Sequence, residues 1–436
     1  MKRRNSVFIH LLVLLAALVL ISPEALGQEA DFAASVQLNL RSETVKQEVT
    51  VKTFVDGDTV HFHVPVSVME DGVLKARFLA VNTPESTGKI EEYGKAASAF
   101  TREKLSNAVS VIVESDTDRW NPDSTGGRHL VWVWYKTEGD GSYRNLNIEL
   151  LENGLAIANS SANNRYGSVC MSAISHAKEN KLGVYSGQKD PDFYYGDAIE
   201  LTLKELRTNL AFYEGKKVAF TGVITMNNNN GVFVESYDAQ TDMYFGMSVY
   251  YGFGMSGTGL DILSVGNEAR IVGTLQYYEA GGTWQVSGLT YRMMRPKDPG
   301  NIQKLSEGHS PAYLITDPSV FANGIVEVET EDAIQRYDYA YLAMASSIQM
   351  NNLRVVDAWV TRDEASSSFG AMTLVCESET GERIQVRTVP LYDENKSLIT
   401  PDRYFGRLMD VRGIVDAYGG EYQIKVFMNT GIDVKE

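Results

Sequence analysis

The sequence predicts a mainly β protein with a few helices, folded as small Greek-key β-barrels in tandem. Short apolar segments alternate with polar residues at a period of two, as in residues 60–64, and turn residues separate these segments. Two later stretches of the chain repeat one order of strand, Gly-Gly hairpin and second strand. Both observations favour short antiparallel strands over long amphipathic helices.

The internal repeat is clearest at its two hairpins. In the first copy Val272-Gly273 precedes a hairpin, and in the second copy Arg412-Gly413 does so. The hairpins and the strands that follow read Gly281-Gly282-Thr283-Trp284-Gln285-Val286 and Gly419-Gly420-Glu421-Tyr422-Gln423-Ile424. Helix-like segments at residues 201–210 and 332–346 precede the two β-rich stretches. A unit of about 100 residues with some five short strands and one helix is typical of a small barrel.

Acidic, hydroxyl and arginine side chains occur in order between residues 55 and 128. The three pieces are Val55-Asp56-Gly57-Asp58-Thr59-Val60, Arg77 with Asn82-Thr83-Pro84-Glu85, and Gly126-Gly127-Arg128. Apolar runs separate the pieces, so they can lie on adjacent strands of one barrel. We expect a site that contains metal-binding oxygens, a free carboxylate and two guanidinium groups.

These residue types suit the hydrolysis of a phosphodiester. The Asp58 carboxylate is a hard oxygen ligand for Ca²⁺ or Mg²⁺, and Asn82 and Thr83 offer neutral oxygens. Glu85 follows Pro84 on a loop, where a carboxylate can orient or deprotonate a water molecule. Arginine can grip phosphate oxygens with two hydrogen bonds and stabilise the charge that develops during attack.

Residues 49–186 resemble the staphylococcal nuclease (thermonuclease) family. Six blocks follow the order of that family: residues 55–60, Arg77 with residues 82–85, residues 92–101, Gly127-Arg128, Asn153-Gly154-Leu155-Ala156, and residues 177–186. The resemblance implies a five-stranded barrel of the oligonucleotide-binding (OB) type with packed helices. It also implies Ca²⁺-dependent hydrolysis of DNA or RNA with little sequence preference, single strands being preferred.

The resemblance also assigns roles to residues of this chain. It implies that Asp58 is a metal ligand, that Thr83 lends an oxygen to the metal, and that Glu85 assists the attacking water. The Asn82 amide oxygen can also coordinate the metal, so we expect the metal site to consist of Asp58, Asn82 and Thr83. Arg77 and Arg128 would hold the phosphate.

Two departures from the family motivate another hypothesis. Family members commonly have Asp where this chain has Asn82, and the tyrosines that contact nucleotide are missing near residues 124–127 and 159–162. Fewer ligand charges weaken the affinity for Ca²⁺. Base stacking would be lost or supplied elsewhere, for example by Trp120. The alternative function is therefore a weakened or inactive nucleic-acid-binding or surface-binding module of the same fold. A metal-binding adhesion or scaffold protein is a further alternative, which rests on the acidic composition alone.

The family resemblance and the internal repeat together predict how the chain is divided into domains. The two repeated barrels resemble the OB-type barrels appended to some exported bacterial nucleases. The expected segments are a signal peptide at residues 1–27, an N-terminal extension at 28–45, a thermonuclease-like catalytic domain at 46–187, a linker at 188–200, an OB-like domain at 201–295, a linker at 296–325 and a second OB-like domain at 326–436.

The first 27 residues predict export. Basic residues precede an apolar run at residues 7–21 and small residues follow it, so we expect a cleaved signal, a secreted product and no membrane span. The two cysteines, Cys170 and Cys376, lie far apart and are expected to be buried free thiols, with a bridge between domains as the minority alternative.

The formal net charge is −16, which is unusual for a protein that binds polyanions. The predicted nuclease segment is nearly neutral, with 15 basic and 18 acidic residues between positions 46 and 187. The aromatic residues of the first OB-like copy could stack on bases or fill a core. For the acidic second copy we expect a structural, protein-contact or cell-surface role. The pair His61 and His63 is expected to face solvent rather than to bind a metal.

Overall fold

The computed structural model describes residues 31–329, 333–364, 366 and 368–435. The expected signal peptide at residues 1–27 lies outside the described residues. The described residues form three seven-stranded sheets and two small two-stranded sheets, so the prediction of a mainly β protein is confirmed.

The first sheet forms a closed barrel, which we call the first barrel. The strands of this region are β1 (Lys46–Asp56), β2 (Thr59–His63), β3 (Val73–Phe78), β4 (Val81–Asn82), β5 (Ala108–Glu114), β6 (Asn121–Pro122), β7 (His129–Thr137), β8 (Arg144–Asn145) and β9 (Ile157–Ala158). β1 pairs with β2 and β5, β2 pairs with β3, and β5 pairs with β7. A parallel pairing of β3 with β7 closes the ring.

Three helices pack on the first barrel. They are α1 (Gly94–Ser106), α2 (Leu146–Glu152) and α3 (Gly167–Glu179), followed by a 3₁₀ turn at Gly183–Tyr185. The side chain of Asn145 accepts a hydrogen bond from the Ile148 amide at 3.1 Å and so caps α2. The core of the first barrel and its packed helices contains Phe62, Phe78, Trp132 and Trp134, all of which are fully buried.

The N-terminal extension packs on this barrel rather than standing apart from it. The amides of Phe32 and Ala33 donate to the Glu152 carboxylate at 2.8 and 3.1 Å, and Ala33 is completely buried. The segment therefore adds to the core of the first barrel.

The second and third sheets repeat one topology, and we call them the second barrel and the third barrel. The second sheet contains β10 (Ile199–Glu200), β11 (Lys217–Asn228), β12 (Gly231–Asp238), β13 (Met243–Tyr250), β14 (Glu268–Tyr278), β15 (Thr283–Ser287) and β16 (Gln303–Ser306). The third contains β17 (Leu314–Ile315), β20 (Ser347–Val360), β21 (Met372–Glu377), β22 (Arg383–Thr388), β23 (Leu408–Tyr418), β24 (Glu421–Val426) and β25 (Ile432–Val434). Between β17 and β20 lies a hairpin of β18 (Ile325–Glu329) and β19 (Ile334–Asp338).

Each of these barrels is closed in the same way as the first. In the second, β11 pairs with β14 and β13 runs parallel to β15; in the third, β20 pairs with β23 and β22 runs parallel to β24. The short helices are α4 (Leu203–Thr208), α5 (Leu210–Tyr213), α6 (Thr258–Ile262), α7 (Pro318–Asn323) and α8 (Tyr339–Leu342), with 3₁₀ turns at Glu279–Gly281, Pro401–Arg403 and Asn429–Gly431. The prediction of three tandem OB-type barrels is confirmed, whereas the residue limits of the domains stay a prediction.

One expected helix is wrong in its first part. The sequence predicts a helix over residues 332–346, but Ile334–Asp338 is a strand that pairs with Ile325–Glu329, and among the described residues of that range Tyr339–Leu342 is helical. Tyr337 lies on that strand. Isoleucine and tyrosine favour strands, and a partner strand directly upstream satisfies the backbone hydrogen bonds.

The second and third barrels share one continuous hydrophobic core. It extends from Leu203 in α4 to Ile432 in β25. Arg207 of the second barrel lies fully buried beneath the third, where it donates to the Tyr341 carbonyl at 2.5 Å. Burial lowers the pKa of Arg207 to about 10. The two barrels therefore pack as one body.

Glu235 joins the same two barrels through a buried carboxylate. It accepts hydrogen bonds from the Ala312 amide at 2.9 Å, the Ser347 amide at 2.6 Å and the Ser347 hydroxyl at 2.9 Å. Burial raises the pKa of Glu235, and these three donors oppose that effect.

The cysteines are free, and both are buried. Cys170 lies in α3 and Cys376 in β21. Burial raises the pKa of both thiols to about 12. Among the described residues, no helix combines the length and the apolar character needed to span a membrane.

We expect Glu235→Ala to lower the free energy of unfolding by about 2–4 kcal/mol, because three buried donors lose their acceptor. Chemical denaturation of the full chain measures this change. Glu379→Ala, at an exposed turn of the third barrel, is the control and should change stability by less than about 0.5 kcal/mol. Equal stability of the Glu235→Ala variant and the wild type would contradict the structural role of this carboxylate.

Candidate active site

The site begins at the tight turn between β1 and β2, which places two carboxylates side by side. Asp56 ends β1 and Asp58 precedes β2, with Gly57 between them. A Cβ atom at Gly57 would lie 2.9 Å from both the Ala97 Cβ and the Thr83 Oγ1 atoms. A glycine is therefore needed there, because a larger side chain would displace α1 or the segment after β4.

Asp58 is buried, and every contact of its carboxylate lies within the site. One oxygen accepts a hydrogen bond from the Thr83 amide at 2.8 Å, and the other accepts one from the Thr59 hydroxyl at 3.1 Å. The Arg77 guanidinium forms an ion pair with the same carboxylate. Asp58 thus fixes the chain segment that follows β4.

Arg77 connects this carboxylate with Asn82. It donates to the Asn82 side-chain oxygen at 2.6 Å while it pairs with Asp58. Burial, followed by the charge of Arg128, lowers the pKa of Arg77, whereas Glu85 and Asp56 oppose the shift. Arg128 and Glu85 are therefore close enough to act on Arg77 electrostatically.

The oxygens around Asp58 fit a hard divalent cation. The donors are the Asp58 carboxylate, the Asn82 amide and the Thr83 hydroxyl, all of the type that Ca²⁺ prefers. Thr83 Oγ1 is buried without a hydrogen-bond partner, which is unusual for a hydroxyl. Among the described residues, no group of three His, Cys, Asp or Glu side chains could hold a metal, so any such site depends on the neutral oxygens as well.

Glu85 lies on the exposed loop after Pro84 and faces Asp56. Partial burial, then the charge of Asp56 and a hydrogen bond with it, raise the pKa of Glu85 to about 7. Arg77 opposes this shift. A carboxyl with such a pKa can exchange a proton with water near neutral pH.

Asp56 is a site residue to which the sequence reasoning gave no role. Its Oδ1 atom accepts hydrogen bonds from the Gly57 amide at 2.8 Å, the Ser86 amide at 3.0 Å and the Ser86 hydroxyl at 2.5 Å. Asp56 therefore anchors the first residues of the loop to β1. The available signal was its position one residue before Gly57, opposite Asp58 in the turn.

Arg128 follows the β6–β7 turn and is held by Asp123, a residue that the sequence reasoning also missed. Two guanidinium nitrogens of Arg128 lie 2.7 Å from Asp123 Oδ2. Burial would raise the pKa of Asp123, but hydrogen bonds from Thr125 and Arg128 hold it below its usual value. The pairing orients Arg128 and leaves about a third of its side chain, 35%, exposed to solvent.

The structure thus brings the predicted site residues to one end of the first barrel. Asp58, Arg77, Asn82 and Thr83 are in direct contact, and Glu85 and Arg128 act on Arg77 through their charges. These contacts place the predicted side chains near one another, while the chemical role of each residue stays a prediction.

Aromatic residues that were candidates for base stacking fall into two groups. Trp120 is partly buried against the core of the first barrel, and Phe233 and Phe245 are buried in the later barrels. Tyr237 and Phe253 of the second barrel are exposed, Phe253 by 90%. Stacking on Phe233 or Phe245 is therefore excluded in this fold.

His61 and His63 lie on β2, and neither is among the residues that contact Asp58 or Arg77. His63 is exposed and His61 is half-buried. Burial and then the charges of Lys75 and Lys52 lower the pKa of His61.

Comparison with known proteins agrees with this geometry. The family model described as "Staphylococcal nuclease homologue" matches residues 75–187. The thermonuclease of Staphylococcus intermedius is 30% identical over 179 residues, which cover 40% of this chain and 94% of that protein. The family-model match contains Arg77, Asn82, Thr83, Glu85 and Arg128 but begins after Asp58, and it ends before the second barrel. The chain therefore belongs to the staphylococcal nuclease homologue family.

Proposed function

We propose that the protein is a secreted, Ca²⁺-dependent nuclease that hydrolyses phosphodiester bonds of DNA or RNA, with single strands preferred and little sequence preference. The observation that supports this most is the cluster in which Asp58 contacts Arg77 and Thr83 while Glu85 and Arg128 lie close enough to act on Arg77. Membership of the nuclease family supports the reaction class, and the apolar run at residues 7–21 supports export.

In the proposed reaction each residue takes the role that the family resemblance and its own chemistry suggest. Arg77 and Arg128 bind the phosphate oxygens and stabilise the negative charge that grows on them. Glu85 accepts a proton from a water molecule, the water oxygen bonds to phosphorus, and the departing ester oxygen takes a proton from solvent. Asp58, Asn82 and Thr83 would hold Ca²⁺, which would supply positive charge that stabilises the developing negative charge.

Asn82 in place of an acidic ligand supports the alternative function, an inactive or weakened binding module. It leaves Asp58 as the charged member of the three proposed ligands, so Ca²⁺ is bound by fewer charges. The retained Glu85, Arg77 and Arg128 favour the enzyme. The two functions differ in whether single-stranded DNA is cut or only bound.

We expect Glu85→Gln to lower the rate of cleavage of single-stranded DNA at least about a hundredfold, because the variant lacks the proton acceptor. The rate is measured with Ca²⁺ and, in parallel, with chelator, which should abolish cleavage by the wild type. The control is Glu70→Gln, which removes an exposed carboxylate outside the site and should leave the rate unchanged. If the wild type binds the DNA but does not cut it at millimolar Ca²⁺, the binding-module function replaces the proposed one.

We expect Asn82→Asp to lower the Ca²⁺ concentration for half-maximal activity by roughly tenfold, because a carboxylate adds a negative charge to the ligands. A Ca²⁺ titration of the cleavage rate measures the shift. Asn395→Asp adds the same charge in an exposed turn of the third barrel and should not shift the titration. An unchanged midpoint in Asn82→Asp would remove this residue from the proposed metal ligands.

We expect Arg128→Lys to lower kcat/KM by about a hundredfold, because lysine keeps the charge but loses the planar pair of donors. Steady-state kinetics on a single-stranded oligonucleotide give the ratio. The matched substitution Arg119→Lys alters an exposed arginine just before the turn and should change kcat/KM less than twofold. Wild-type kinetics of Arg128→Lys would argue that Asp123 keeps Arg128 away from the phosphate.

A further inference from the structure

The loop that bears Glu85 is hydrogen-bonded to the second barrel through Gly88. The Gly88 amide donates to the Gln276 side-chain oxygen at 3.2 Å. The Gly88 carbonyl accepts from the Gln276 side-chain nitrogen at 2.8 Å and from the Ser287 hydroxyl at 2.7 Å. Both backbone groups of Gly88 are therefore satisfied by side chains of another barrel.

The two partners of Gly88 are buried polar side chains. Gln276 on β14 is 6% exposed, and Ser287 on β15 is completely buried. Such groups cost free energy unless they form hydrogen bonds, and here the loop backbone provides them. The contact is therefore an internal part of the folded chain rather than a chance surface encounter.

The backbones approach closely at the same place. Gly88 has a φ of 69° and Gly288 has the same value. A Cβ atom at Gly288 would lie 3.4 Å from the Gly88 carbonyl oxygen. The positive φ at both positions favours glycine, although a Cβ atom at Gly88 would meet no atom within 4 Å.

The rest of the loop is fixed at its two ends. Asp56 holds Ser86 near the start, and Asp190 accepts a hydrogen bond from the Tyr93 amide at 2.6 Å where α1 begins. Thr87 and Lys89 between these ends are exposed. Gly88 is thus the middle anchor of a loop whose neighbouring residues extend into solvent.

The third barrel shows that an OB-type barrel does not itself require Gln and Ser at these positions. When the two Gly-Gly hairpins are aligned, Asp416 occupies the position equivalent to Gln276, and Lys425 the position equivalent to Ser287. Asp416 and Lys425 form an ion pair of 3.6 Å with each other. The second barrel, which contacts the loop, has two neutral side chains that hydrogen-bond to Gly88. The third barrel has at these positions two charged side chains that pair with each other.

We propose that the second barrel is a positioning element of the active site, in which Gln276 and Ser287 hold Gly88 and thereby fix the loop that presents Glu85. This inference rests on the proposed nuclease function. Gln276 and Ser287 touch neither the phosphate-binding arginines nor the proposed metal ligands, so they act through the loop alone. A reacting carboxylate must be held within about 0.5 Å of its productive position, and the Gly88 anchor adds to the contacts of Ser86 and Tyr93 that hold the loop at its ends.

Loss of this anchor has a specific kinetic consequence. The phosphate-binding residues Arg77 and Arg128 lie on the first barrel and keep their own contacts, so KM should stay the same. Glu85 would then occupy its reactive position for a smaller fraction of the time, which lowers kcat. We expect a fall of about tenfold or more, since displacement of a reacting group by about 1 Å can cost a hundredfold.

The test uses the full chain with both substitutions, Gln276→Met and Ser287→Ala, which preserve shape but remove the hydrogen bonds. The matched control changes the corresponding pair of the third barrel, Asp416→Leu and Lys425→Met. Steady-state kinetics on single-stranded DNA with Ca²⁺ are combined with hydrogen exchange of the peptide that spans residues 85–93. Thermal unfolding checks that both double variants are folded.

The inference is supported if kcat falls about tenfold or more at constant KM, exchange rises in residues 85–93 only, and the third-barrel control behaves as wild type. It is overturned if kcat is unchanged, or if KM rises instead, or if the control loses kcat to the same extent. A wild type that cuts no DNA overturns the proposed function, and the inference with it. A wild type that cuts, beside a variant that cuts equally well, overturns the positioning role alone.

Discussion

The parallel pairing of β3 with β7 is the constraint on which the candidate site depends. It closes the first barrel and aligns Ala76 with His129 and Arg77 with Leu130. Residues 77 and 128 are 51 positions apart in the sequence, yet this register places Arg77, near the carboxyl end of β3, level with the start of β7, which Arg128 directly precedes. The two arginines therefore lie at one end of the barrel. The same end receives the β1–β2 turn, because the Phe78 amide donates to the Asp58 carbonyl at 2.8 Å.

The site is arranged in layers around the Asp58 carboxylate. Arg77 neutralises it, Thr83 binds it through the backbone, and Asn82 accepts a hydrogen bond from Arg77. The loop with Glu85 lies outside this group and is anchored by Asp56. The stability of the inner group thus comes from the barrel, whereas the position of Glu85 comes from contacts of the loop.

Many of the strands and the set of site residues could be predicted from the sequence, because the signals for them are local or repeated. The alternation in residues 60–64 and the paired Gly-Gly hairpins predicted strands that the structure contains. The order of Asp58, Arg77, Glu85 and Arg128 predicted residues that the structure brings to one place. Such signals survive in one sequence because they depend on turn chemistry and on the spacing of apolar residues.

The missed features depend on contacts between distant segments. Nothing in the residues around Gly88 indicates that Gln276, 188 positions later, will bind it. The role of Asp56 needed the position of Ser86, and the strand at Ile334–Asp338 needed its partner strand. Periodicity carries no information on such pairs, since it reports which face of an element is buried and not what lies against it.

The two cysteines have a consequence for the conditions under which the protein can fold. They lie in different barrels, both buried and unpaired, and burial makes their thiolates scarce at neutral pH. Folding of this chain therefore requires no oxidation step and no disulfide isomerase. Its native state should be equally stable in a reducing and in an oxidising medium, so the redox poise of a compartment places no limit on where it is made or where it works.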